Sequence, residues 1–210
     1  MSRSLIATTS AVAVAALLGA TWYVTSGPSG GDKYADCRVG AVAGGSSQIG
    51  GPFTLVDETG KTVTDQDVID QPSLLYFGYT FCPDVCPLDN SRNAEAIELL
   101  EDRGTIIKPV FISIDPERDT PEVIADFTSY LHPRMVGLTG TPEQVKAASQ
   151  AYRTFYQKQE PEPGDEEYYL VDHSTFTYLV FPEEGFIEFF RRDMTPEDMA
   201  ASLQCFMDAR

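Results

Sequence analysis

Ser73-Leu74-Leu75-Tyr76-Phe77-Gly78-Tyr79-Thr80-Phe81-Cys82-Pro83-Asp84-Val85-Cys86-Pro87 is the stretch on which the fold turns. Its first seven residues form a continuous apolar run, the pattern of a strand buried on both faces of a sheet. Pro83 and Asp84 break the run, and a helix is expected from about Asp84 to Asp102, closed by Gly104. In open α/β sheets the functional site sits where a central strand hands over to its helix. Here that handover contains Cys82 and Cys86.

Working outward, Ile106 to Ile114 reads as a second buried strand that ends at Asp115-Pro116. Thr-Pro-Glu then occurs at Thr120, Thr141 and Thr195. Each places a capping hydroxyl before a proline at the first helical position and an acid in the first turn. Gln144 completes a capping box with Thr141. Short strands are expected around Met135 to Leu138, Phe176 to Phe181 and Phe186 to Phe190. Upstream, Phe53 to Val56 and Lys61 to Thr64 flank Asp57-Glu58-Thr59-Gly60, a hairpin signal. The order hairpin, β, α, β, α, β, α, β, β, α is that of an α/β thioredoxin-like three-layer sandwich with an N-terminal β-hairpin extension. Phe53, Tyr76, Phe77, Phe111, Phe186, Phe189 and Phe190 fall in strand contexts and are expected in its core.

The chain has 210 residues, enough for one ordinary domain with accessories, and a formal charge of −17. Twelve basic and 30 acidic residues lie in 51–210, so the acidity belongs to the folded part. Such a surface excludes a nucleic-acid binder, which needs a basic footprint to release counterions. Leu5 to Val24 is a charge-free run of twenty residues, the length of a membrane-spanning helix, with Trp22 and Tyr23 at its far end. With no clear small-residue cleavage site, it reads as an uncleaved anchor rather than a cleaved signal. Ser26 to Gly51 holds eight glycines and reads as a flexible tether. The expected organisation is an anchor over 1–25, a tether over 26–49 and one domain over 50–210.

Two cysteines four residues apart, one in the loop and one in the first helical turn, can face the same side. Helix N-termini lower thiol pKa values, although Asp84 beside them would oppose this. Two soft sulfurs at this separation suit Cu(I), and they could equally close a small disulfide. His173, in Val171-Asp172-His173-Ser174, is expected in a loop before a strand, and in a thioredoxin-type fold that loop packs beside the cysteine turn. His132, before Pro133 at a helix end, reads as a surface or C-cap residue.

Gly78 to Pro87, together with Asp115-Pro116-Glu117-Arg118-Asp119-Thr120-Pro121 and Val171-Asp172-His173-Ser174, resembles the Sco/SenC family. Gly50-Gly51-Pro52-Phe53 and Gly137-Leu138-Thr139-Gly140-Thr141 also match, in the expected order. The resemblance implies a thioredoxin-like metallochaperone, most simply not an enzyme, which helps assemble the binuclear copper centre of cytochrome c oxidase. It implies copper ligation by Cys82, Cys86 and His173. It also implies a membrane-tethered domain facing the periplasm or the mitochondrial intermembrane space. The expected partners are the copper-site subunit of the oxidase and a copper donor protein. Thiolates favour Cu(I), while the imidazole also admits Cu(II). Oxidation to a Cys82–Cys86 disulfide would remove both sulfurs.

The main rival is a thiol–disulfide oxidoreductase that uses the same pair on the cysteines of a copper-site precursor. A peroxidase is more distant, and would need a guanidinium near Cys82, for which Arg118 is the candidate. Cys37 and Cys205 lie outside the motifs, and an oxidising compartment would permit a bridge between them. Glu160-Pro161-Glu162-Pro163-Gly164-Asp165-Glu166-Glu167 reads first as a solvated loop and, alternatively, as a surface steering a basic partner. Arg191-Arg192 is a basic exception without a role.

Overall fold

The structure, a computed structural model, describes residues 16–19, 21, 32–38, 49–161, 163–164 and 168–210. The chain divides into two compact units, one of Met1–Asp36 with Arg210 and the other of Cys37–Ala209. In the first, residues 16–19 and 21 are helical, and the Lys33 ammonium lies 4.9 Å from the centre of the Tyr34 ring. Among the described residues no helix is long and apolar enough to cross a membrane. Most of the Leu5–Val24 run, and much of the expected tether, lies outside the described residues.

The second unit opens with the hairpin β1 (Thr54–Asp57) and β2 (Thr62–Thr64). Asp57 organises its turn by accepting from the backbone N–H of Thr59 and of Lys61, and Gly60 supplies the left-handed backbone at φ +82°. Thr64 and Asp67 form a capping box at a one-turn helix, α1 (Asp65–Val68). Then come β3 (Ser73–Gly78), α2 (Val85–Glu101), β4 (Lys108–Ser113), α3 (Pro121–Leu131), β5 (Val136–Thr139) and α4 (Pro142–Ala151). A small ladder of β6 (Tyr156–Lys158) and β7 (Val171–His173) precedes β8 (Thr177–Phe181), β9 (Gly185–Phe190) and α5 (Pro196–Asp208). All three Thr-Pro-Glu threonines cap helices, accepting from the backbone N–H of Val123, Gln144 and Asp198.

Seven strands form one sheet in the order β2-β1-β5-β4-β3-β8-β9. β3 pairs in parallel with β4 and antiparallel with β8, so every residue of the apolar run is buried. Its central place follows from composition, because only a strand covered on both faces accommodates side chains apolar on both. Helices pack on this sheet to give the thioredoxin-like arrangement. Of the seven aromatic residues expected in the core, six are buried, while Phe189 is half-buried with its ring 4.9 Å from that of Phe176.

Two features differ from the sequence expectations. His173 is not in a loop but ends β7, opposite Tyr156. A three-residue strand pairing with a distant three-residue strand leaves too short a pattern to read from sequence. His132 is the C-cap of α3, which meets one of its two expected placements, and it is buried rather than on the surface. Its Nε2 lies 3.1 Å from Glu101 Oε1, and its Nδ1 accepts from the Arg134 backbone N–H. Cys37 and Cys205 are joined by a disulfide with a Cα–Cα distance of 5.7 Å. The neighbouring Arg38 donates to the Ile187 carbonyl on β9.

Candidate metal centre

The end of β3 delivers the chain to Tyr79, and the turn from Thr80 to Asp84 carries it into α2. Asp119 fixes this turn from outside, accepting from the Thr80 backbone N–H at 3.1 Å, the Thr80 hydroxyl at 2.6 Å and the Ser113 hydroxyl at 2.6 Å. Burial pushes the Asp119 carboxyl above its ordinary range, while these three donors pull it back. The Asp115–Asp119 segment is therefore a clamp on the cysteine turn. Gly78 is required by close approach, since a Cβ there would lie 2.8 Å from the Tyr76 ring and 3.0 Å from Cys86 Sγ.

Asp84 is the N-cap of α2, yet its side chain makes no capping hydrogen bond. Cys82 Sγ takes that role by accepting from the Cys86 backbone N–H at 3.3 Å. One sulfur thus occupies the position of an N-cap oxygen while the other rides the first turn behind it. A hydrogen bond from the Cys86 thiol, with further ones from the Asp84 and Cys86 amides, holds the Cys82 thiol far below its ordinary range despite burial. The same bond, together with burial, pushes Cys86 up. Asp84 was expected to oppose thiolate formation. Its side chain is exposed, and its backbone N–H acts the other way. The shared hydrogen bond thus favours the charged form at Cys82 and the neutral thiol at Cys86.

β7 brings the third donor, with His173 Nε2 3.3 Å from Cys86 Sγ. The other ring nitrogen, Nδ1, lies 2.8 Å from the Ser174 carbonyl. That partner fixes the proton on Nδ1 and leaves the Nε2 lone pair facing the sulfurs, the outer-shell arrangement of metal-binding histidines. Tyr79 positions β7 through its hydroxyl, which accepts from the Val171 backbone N–H at 3.2 Å. The rings of Tyr76 and Tyr79 meet the imidazole edge-on, at 6.3 and 5.8 Å.

Cys82 Sγ, Cys86 Sγ and a ring nitrogen of His173 lie within 4.8 Å of one another, and among the described residues they are the one group of this kind. Donors placed about 2.0 to 2.3 Å from a common trigonal metal would be spaced by about 4 Å, and the separations here, 3.3 Å between Cys86 and His173 and none above 4.8 Å, lie around that value. His132 stands apart from this group, engaged by Glu101. Arg118, the guanidinium a peroxidase would need, is held by Asp115 and by the Tyr169 carbonyl.

Sequence reasoning did not find the polar layer beneath the site. Buried Asp89 accepts from the Tyr76 hydroxyl at 3.0 Å and lies 3.7 Å from Arg192 Nε. Buried Arg92 and Asn93 share the Thr177 hydroxyl, and Arg92 also donates to the Arg191 carbonyl. Asp89, Arg92 and Asn93 carry nothing in their own side chains that marks them as buried. The exposed stripe of α2 is Leu88, Ser91, Glu95 and Glu98, and the helical spacing of Glu95 and Glu98 is the signal that could have placed Asp89, Arg92 and Asn93 on the other faces.

Against known proteins, the sequence model of one family, described as SCO1/SenC, matches residues 42–208. The protein SenC of Rhodobacter capsulatus is 53% identical over 209 residues, covering 100% of this chain and 93% of that protein. The mitochondrial SCO1 homologue of Homo sapiens is 42% identical over 166 residues, covering 78% of this chain and 54% of that protein, so the chain spans about half its length. Among solved structures, that of Arabidopsis thaliana ScoI with copper bound superposes with a TM-score of 0.71 at 40% identity, covering 76% of this chain and 99% of that one.

Proposed function

Because this chain belongs to the SCO1/SenC family, we propose that it binds copper through Cys82, Cys86 and His173 and serves the assembly of the copper centre of cytochrome c oxidase. The observation that carries this reading is the convergence of two sulfurs and one lone-pair nitrogen within 4.8 Å. Two thiolates suit Cu(I), and the imidazole extends the site to Cu(II). Three protein donors are one fewer than a closed structural zinc site uses, which leaves a side open for an incoming ligand. Copper here is cargo, and an open three-donor site suits a metal that must be handed on.

The chain's own residues divide the work. Cys82, whose thiol is the more readily ionised of the two, takes the ion first. Cys86 then gives up its proton to solvent on binding, so uptake is accompanied by proton release. His173, on a three-residue strand, is the ligand most easily withdrawn when the ion leaves. We further propose that Leu5–Val24 anchors the chain in a membrane, with the domain in the periplasm or intermembrane space. The Cys37–Cys205 bridge supports an oxidising compartment. A donor protein supplies the copper, and the copper-site subunit of the oxidase receives it.

A second reading is favoured by the lowered Cys82 thiol. A thiolate above a buried second cysteine is also arranged for disulfide exchange with the cysteines of the copper-site precursor. The two readings meet in one expected result. When a Cys82–Cys86 disulfide forms, with two electrons passing to the disulfide of an exchanging protein, both sulfur ligands are lost. Oxidised chain is therefore expected to retain less than a tenth of the Cu(I) that reduced chain retains in dialysis against a competing chelator. Equal retention would contradict the copper reading. Full assembly activity in a copper-free His173→Ala protein would favour the exchange reading.

A further inference from the structure

Beside the cysteine turn lies a groove of about 510 Å³ that the metal centre does not use. Phe81 and Pro83, which flank Cys82, form one wall, and Tyr168, Tyr169 and Leu170, which lead into β7, form the other. Phe81 is 54% exposed, Tyr168 79% and Leu170 45%, an unusual density of bare apolar surface on so acidic a chain. The floor is built firmly. The Arg118 guanidinium stacks on Tyr169 at 3.5 Å and lies 4.8 Å from the Phe81 ring, while the Lys158 ammonium sits 3.7 Å from the Tyr169 ring.

Arg118 carries a second, independent observation. Its Nε donates to Asp115 and its Nη1 to the Tyr169 carbonyl. Its Nη2 is buried and has no acceptor among the described residues. A donor already stripped of water gains more from an arriving oxygen than a hydrated one does, because its desolvation has been met on folding. The Phe81 ring, 54% exposed, lies beside the guanidinium on the groove side.

We infer that this groove is the docking cleft for an extended peptide segment of the thiol-bearing protein that receives the copper, with an apolar side chain between Phe81 and Tyr168 and a carbonyl or carboxylate oxygen on Arg118 Nη2. Continuity with the site selects this occupant. A receiving sulfur must come within about 2.3 Å of the ion. Two residues of extended chain beside that sulfur reach only about 7 Å, so they must lie on the surface bordering Cys82. The inference rests on the proposed function for the partner's identity, but it holds equally for metal transfer and for disulfide exchange.

The test uses the full chain in detergent, reduced and copper-loaded, titrated calorimetrically with the metal-free soluble copper-site domain of a cytochrome c oxidase. Phe81→Ser and Tyr168→Ser are each expected to weaken association by about tenfold, a range typical of aromatic anchors, with copper stoichiometry unchanged. Arg118→Lys, which keeps the charge but lacks the second terminal nitrogen, should weaken it in the same direction. Tyr130→Ser, at the far end of α3 and 89% exposed, should have no effect. Variants that bind like wild type would overturn the inference, whether the groove is instead filled by the acidic stretch 160–167 or by a second copy of the chain. A copper-loaded wild type without affinity for the domain would overturn it too. Failure to take up copper would instead count against the proposed function, and the groove would then be judged by the same fold-changes on the metal-free pair.

Discussion

Cys86→Ser is expected to lower Cu(I) affinity by more than the 10–100-fold that loss of an outer-shell partner costs, leaving no copper after chelator competition. Cys86 is fully buried on the first turn of α2, and its sulfur lies 3.3 Å from His173 Nε2. A serine hydroxyl there is a hard, protonated oxygen that Cu(I) does not favour. Cys82→Ser should lose copper as completely, and it carries its own folding control. Cys82 Sγ caps α2 by accepting from the Cys86 backbone N–H. A serine hydroxyl there can accept from the same N–H, and Asp84 still occupies the N-cap position itself. The variant should therefore melt within a few degrees of wild type while holding no metal. A Cys82→Ser chain that unfolds would place the cysteine in the architecture instead, and one that retains copper would remove it from the site.

The Cys37–Cys205 bridge predicts the largest change in stability. It closes a sequence separation of 168 residues and ties the segment before the domain to its last helix. The chain-entropy treatment assigns such a loop about 5 kcal/mol, an upper figure because denatured chains keep residual structure. Replacing both cysteines with serine is expected to cost about 2–5 kcal/mol and to lower Tm by roughly 5–15 °C, measured by thermal melts of the oxidised protein. Copper stoichiometry should not change, since neither residue belongs to an element bearing a ligand. A shift below about 2 °C would show that the bridge constrains a segment that adds nothing to folding.

The central strand and the paired cysteines were legible because both are dense local signals. A charge-free, largely apolar run from Ser73 to Tyr79 admits one placement in a sheet, and the Thr-Pro-Glu caps punctuated the helices after it. His173 was legible as a residue but not as part of a strand, because β6 and β7 are separated in sequence by the acidic stretch and each offers only three residues of pattern. Cys82 as a surrogate helix cap was hidden for another reason. Asp84 looked like the cap, and an acid near a thiol looked unfavourable, until the backbone turned its amide toward the sulfur. The buried Asp89, Arg92 and Asn93 illustrate the limit of composition alone. A polar side chain reads as exposed unless its partner is known, and here the partners are Tyr76, Thr177 and the carbonyl of Arg191.

The most direct measurement is X-ray absorption together with electron paramagnetic resonance on the reduced full chain loaded with one equivalent of copper, with His173→Ala alongside. One copper per chain with two sulfur neighbours and one nitrogen neighbour is expected, with the nitrogen and the Cu(II) signal lost in the variant. A copper without sulfur neighbours, or a Cu(II) spectrum unchanged by His173→Ala, would contradict the site built here from Cys82, Cys86 and His173.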